Sequence, residues 1–125
     1  MDKCGEIVEY LMSSPDMPAD DEIQFKVRLS VEEAVENIVR YAYGSGSGYL
    51  EASTDIQNGM LVVTLKDGGI PFDPLAKPDP DINASLEERQ VGGLGIFLCK
   101  QLMDEIYYQF VDGCNLLTLK KKLNA

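Results

Sequence analysis

Glu33 and Asn37 stand four residues apart in a stretch that reads as helix, so a carboxylate and an amide are neighbours along one face. At about 100° per residue, the apolar stripe of that helix centres on Val31, Val35 and Ile38. Glu33 and Asn37 fall on one flank of the stripe, while Glu32 and Glu36 face the opposite, solvent side. Such a pair can point into a cleft over a sheet. A second group, Asp67-x-Gly69-x-Pro71, follows a strand-like run. Its aspartate can accept a hydrogen bond from an exocyclic amine, and its glycines let the backbone approach a ligand closely. A third, Gly92-Gly93-Leu94-Gly95, opens a helix. Backbone N–H groups there, with the helix N-terminus, make a phosphate cradle that needs no lysine. Singly, each has an ordinary explanation: helix-border polar residues, a common turn, glycines at a helix entry. The glycine run is neither a G-K-[ST] phosphate loop nor a dinucleotide fingerprint.

The whole chain narrows the chemistry further. Its 125 residues suit one domain, 1–125, with roughly two-thirds of the unfolded surface buried on folding. Asp and Glu number 21 against 11 Lys and Arg, a net charge of −10 that repels nucleic-acid backbones and anionic lipid. A polyphosphate ligand must therefore rely on backbone N–H groups, a helix dipole or Mg²⁺. With no histidine in the chain, a Ser-His-Asp triad, a Cys-His pair, a histidine-ligated zinc and a phosphohistidine are all excluded. Acid–base work falls to carboxylates, lysine or tyrosine. Cys4, Cys99 and Cys114 are odd in number and widely spaced, which reads as free thiols. There is no signal-like N-terminus and no apolar run long enough for a membrane span, so a cytoplasmic location is expected.

Periodicity supplies the elements that must hold these groups. Residues 4–14 read as a short helix stopped by Pro15, and 20–43 as a long amphipathic helix capped by Asp20 or Asp21. Tyr49–Ile56 and Met60–Lys66 read as strands joined by the Asn58-Gly59 turn. Asp67–Pro74 breaks regular structure, and 75–91 is a polar loop with one helical turn near Ser85–Arg89. A third helix follows the glycine run. Strands Ile106–Val111 and Leu116–Lys122 then flank a turn, Asp112-Gly113-Cys114-Asn115. The expected fold is α+β, a two-layer sandwich with a mixed, mainly antiparallel sheet and helices on one face.

Jointly the three groups are far more specific than any one. Glu33-Ala34-Val35-Glu36-Asn37, Asp67-Gly68-Gly69-Ile70-Pro71-Phe72-Asp73-Pro74 and Val91-Gly92-Gly93-Leu94-Gly95-Ile96-Phe97-Leu98 resemble the nucleotide-binding fold of gyrase, Hsp90, histidine kinases and MutL. Within it they look most like the anti-sigma-factor serine/threonine kinases of the bacterial stress-response and sporulation type. The resemblance runs from about Leu29 to Lys121 and includes Met103–Tyr108 and Gly113-x-Asn115-x-Leu117-x-Leu119-x-Lys121.

By position, the resemblance implies that Glu33 is the general base and Asn37 the ligand of a phosphate-bridging Mg²⁺. Asp67 would bind the adenine amino group of ATP, with Gly69 allowing close approach. Residues 75–91 would form a lid, and Gly92, Gly93, Leu94 and Gly95 would meet the triphosphate through backbone N–H groups. The implied substrate is a STAS-domain anti-sigma-factor antagonist, and the alternating partner a sigma factor or other regulator. A homodimer belongs to the same pattern. Tyr41 stands where members often carry histidine, and Cys114 or Asn115 where the wider fold has threonine. The alternative function is a non-catalytic ATP-binding module that uses nucleotide only to set a partner's affinity.

Overall fold

The computed structural model describes residues 3–39, 49–76 and 94–123. Helix α1, Lys3–Met12, buries Val8 and Leu11 and ends ahead of Pro15, where Ser13 N–H and Oγ both bond the Glu9 carbonyl. Helix α2, Asp21–Ile38, is capped by Asp20, whose Oδ1 accepts the Ile23 N–H at 3.0 Å. Asp21 and Glu22 in its first turn complement the positive end of the helix dipole. The helix buries Ile23, Val27, Val31, Ala34, Val35 and Ile38, and also Ser30 and Asn37. Val39 still has helical φ and ψ, and the expected continuation to residue 43 lies outside the described residues.

Strands β1, Leu50–Gln57, and β2, Met60–Asp67, form the expected hairpin. Asn58 and Gly59 both have positive φ (52° and 77°), the two-residue turn whose twist matches the strands it joins. A 3₁₀ turn, Pro74–Ala76, follows, its Leu75 N–H bonded to Asp73 Oδ1 at 2.8 Å. This turn was not expected from the sequence, which reads Asp67–Pro74 as irregular and the loop as starting at residue 75. The rest of that loop, with the helical turn near 85–89, lies outside the described residues.

Helix α3, Leu94–Leu102, then leads into β3, Glu105–Val111, and β4, Cys114–Lys122. One boundary needs correction. Cys114 and Asn115 are not turn residues, because Asp112 and Gly113 alone (φ 52° and 76°) make the reversal. Val111 then pairs with Cys114 and Phe110 with Asn115.

The sheet order is β1-β2-β4-β3, and all three pairings are antiparallel. Side chains alternate between faces with period two, so Leu61, Val63 and Leu65 of β2 share a face with Leu117 and Leu119 of β4. These residues join Val8, Leu11, the α2 stripe, Ile96, Cys99 and Met103 in one core. The helices therefore cover one face, the α+β two-layer arrangement expected from the sequence. The same alternation carries past the core to the ends of the two central strands. Asp67 and Asn115, paired in register, face the helical layer as the polar continuation of an apolar series.

Candidate functional site

Asp67 is 1% exposed at the end of β2, a carboxylate held almost entirely inside the protein. Its Oδ1 accepts two hydrogen bonds, from Gly69 N–H at 2.9 Å and Asn115 Nδ2 at 2.9 Å. Asn115 satisfies its whole amide here. Nδ2 also donates to the Ile70 carbonyl at 2.8 Å, and Oδ1 accepts the Phe72 N–H at 3.0 Å and the Tyr108 hydroxyl. This chemistry sets the amide's orientation, since acceptors face the nitrogen and donors the oxygen. One asparagine thus ties the carboxylate to the Gly69–Phe72 segment and to β3. Burial, with the Asp73 and Asp67 carboxylates nearby, pushes the Tyr108 phenol up. Gly68 lies under Tyr49: a Cβ added there would sit 2.6 Å from the ring, whose hydroxyl meets Cys114 Sγ at 3.1 Å.

The second half of the site lies where α2 meets α3. Glu33 is partly buried, and an ideal Cβ on Gly95 would lie 2.7 Å from its Oε2. Glu33 therefore rests against the first turn of α3. One turn further along α3, the buried Cys99 thiol donates to the Ser30 carbonyl at 3.2 Å. Burial, then the negative charge of Glu33, pushes that thiol up to about 12. Asn37, one turn beyond Glu33 on α2, is 9% exposed. Among the described residues its amide meets no hydrogen-bond partner, so its oxygen is available to a ligand.

The structure thus brings Glu33 and Gly95 together, and likewise Asp67 and Gly69. Asn37 stands beside Glu33 along α2, and Leu94 is the first residue of α3. Gly92 and Gly93 lie outside the described residues, as does Tyr41. The central part of Asn115 is not evident from residue types. The signal that finds it is the two-residue Asp112-Gly113 turn, which starts β4 at Cys114 and so makes residue 115 a strand residue; pairing of β4 with β2 then puts it opposite residue 67.

A buried, hydrogen-bonded carboxylate at a strand end thus stands in one sheet-and-helix layer with an amide beside a carboxylate and a helix start against that carboxylate. Residues 6–121 match the family model of the histidine kinase-like ATPase domain, and the chain belongs to that family. ATP is the nucleotide such a domain binds. Among curated proteins, the chain is similar to the serine/threonine-protein kinase BtrW of Bordetella bronchiseptica, 34% identical over 98 residues, 78% of this chain and 69% of that protein. It is 31% identical to the serine-protein kinase RsbW of Bacillus cereus over 106 residues, 82% of this chain and 66% of the relative. For RsbW of Listeria monocytogenes the identity is 28% over 99 residues, 75% of this chain and 63% of the relative. The chain therefore spans about two-thirds of the length of these kinases. Among the described residues, no helix is long and apolar enough to cross a membrane.

Proposed function

We propose that the chain is an ATP-dependent protein serine/threonine kinase whose substrate is a STAS-type anti-sigma-factor antagonist and whose alternating partner is a sigma factor or similar regulator. The observation that carries this reading is the seat of Glu33 against Gly95. It stands a carboxylate at the N-terminal end of α3, where helix N–H groups favour phosphate. In the reaction, a serine or threonine hydroxyl oxygen bonds to the γ-phosphorus of ATP while the bond from that phosphorus to the β–γ bridging oxygen breaks. ADP leaves with the bond's electron pair, and the hydroxyl proton passes to the Glu33 carboxylate. Asp67 accepts the adenine amino group, and its fixed Oδ1 keeps the carboxylate from turning.

The donor set suits Mg²⁺, a hard cation that usually takes one or two protein oxygens together with substrate phosphates. Asn37 supplies such an oxygen, and the ion when bound neutralises charge on the phosphates. That neutralisation also lessens the repulsion between the phosphates and a chain of net charge −10. Gly92, Gly93, Leu94 and Gly95 contribute backbone N–H groups to the triphosphate. Phosphoryl transfer rests mainly on positioning and charge neutralisation, so the lack of histidine is no obstacle.

The test is phosphate transfer from Mg-ATP to candidate STAS proteins, with nucleotide affinity measured in parallel. Glu33→Gln should leave affinity nearly intact and lower transfer by about 10²-fold, the low end for a lost general base because the transition state is loose. Asn37→Ala should instead weaken Mg-ATP binding itself. Wild-type transfer by Glu33→Gln would remove the base. Mg-ATP binding without phosphorylation of any acceptor would give the lead to the nucleotide-operated binding module.

A further inference from the structure

We infer that Gly95 is a positioning residue for Glu33: the missing side chain at Gly95 is the space in which the Glu33 carboxylate lies. This rests on the reading of Glu33 as the base. The three atoms nearest an ideal Cβ at Gly95 all belong to Glu33, namely Oε2 at 2.7 Å, Cβ at 3.4 Å and Cδ at 3.6 Å. The backbone does not ask for glycine there, since Gly95 is not among the residues with positive φ and lies within helix α3. Helix propensity argues against it, glycine being the poorest helix former after proline. The contact with Glu33 is what a side chain would abolish.

The neighbouring turn explains why the carboxylate, and not the helix, must yield. Cys99 is four residues on from Gly95, and its thiol bonds the carbonyl of Ser30, three residues back from Glu33. Cys99 and Ser30 are both fully buried, and the two contacts run in opposite directions along α2 and α3. The Gly95–Glu33 and Cys99–Ser30 contacts therefore set the two helices in one register. A methyl at position 95 cannot be relieved by sliding α3 without breaking the buried contact. The flexible end of Glu33 swings away instead, leaving the fold intact and the base misplaced.

The test is Gly95→Ala, alone and combined with Glu33→Gln. Helicity and cooperative unfolding should be kept, because alanine favours helix. Transfer should fall about 10- to 100-fold, the scale of an ångström-sized misplacement, and more steeply than nucleotide affinity. In the Glu33→Gln background, Gly95→Ala should cost less than about twofold further, since the base is already lost. The pH titration of the Glu33 carboxyl carbon, followed by NMR in nucleotide-free protein, should also move in Gly95→Ala. That readout needs no acceptor. The assignment is overturned by an unmoved titration, by full multiplication of the two transfer losses, or by nucleotide affinity falling in step with transfer, which would make Gly95 a phosphate contact alone. Wild-type transfer by Glu33→Gln, by contrast, sinks the base reading and leaves the titration to judge the contact.

Discussion

Replacing Asn115 with alanine removes four hydrogen bonds at once, and the structure says which matter. The bond to Asp67 is charge-assisted and ends on a group that is 1% exposed, so its loss costs about 1.5–3 kcal/mol. The other three end on Ile70, which is 64% exposed, and on the partly buried Phe72 and Tyr108. Water can reach these groups after truncation, so each adds about 0.5 kcal/mol, the low end for a neutral bond. The expected loss is about 3–4.5 kcal/mol, a large part of the stability of a domain this size. Urea unfolding should show it as a lower midpoint with an unchanged slope. Combining Asn115→Ala with Asp67→Asn should be less than additive by about 1 kcal/mol or more, because the two side chains share a bond. A loss below about 1 kcal/mol, or strict additivity, would refute the idea that Asn115 holds the carboxylate in place.

Three further outcomes are expected. Gly68→Ala should destabilise by about 1–2 kcal/mol, since its Cβ would lie 2.6 Å from the Tyr49 ring, and adding Tyr49→Ala should recover most of the loss; an unchanged unfolding midpoint in Gly68→Ala would contradict this contact. At pH 8 iodoacetamide should alkylate the half-buried Cys114 and spare Cys99, whose thiol is pushed up to about 12, until urea unfolds the chain; mass spectrometry showing equal rates on both would refute it. Asp104 is held below the usual carboxylate range by the Lys122 N–H and the Lys121 ammonium, and Glu9 by hydrogen bonding to Arg28. A lowered folded pKa gives stability that is present above the unfolded value and lost as pH falls through the folded one. The acid limb of stability, measured by thermal unfolding from pH 6 to pH 2, should therefore flatten in Asp104→Asn.

Period and turn chemistry make most of the fold legible in the sequence. Asn58-Gly59 announced its hairpin, Asp20 capped the helix it precedes, and the α2 stripe buried the residues its spacing named. The second hairpin was misread by two residues because Asp112-Gly113-Cys114-Asn115 holds polar types that suit a longer turn. Only the pairing of Val111 with Cys114 and of Phe110 with Asn115 shows that Asp112 and Gly113 suffice. The same limit applied at the site. Glu33, Asn37 and Asp67 are chemical types at telling intervals, but Asn115 gains its part from a partner 48 residues away, and sequence spacing carries no such distance. The contact of Gly95 with Glu33 was equally hidden, for it depends on how two helices cross.

The shared parity of β2 and β4 makes the apolar core a guardian of the Asp67–Asn115 pair. Leu117 and Leu119 face the helices because β4 pairs with β2 in the register that sets them opposite Leu65 and Val63, and the same register sets Asn115 opposite Asp67. A one-residue slip of β4 against β2 would carry both leucines to the solvent side along with the asparagine. Such a chain would lose its core before it could display a misaligned site. Register errors between β2 and β4 are thus converted into unfolding, and a chain with a misaligned Asp67–Asn115 pair has no easy route to a stable fold.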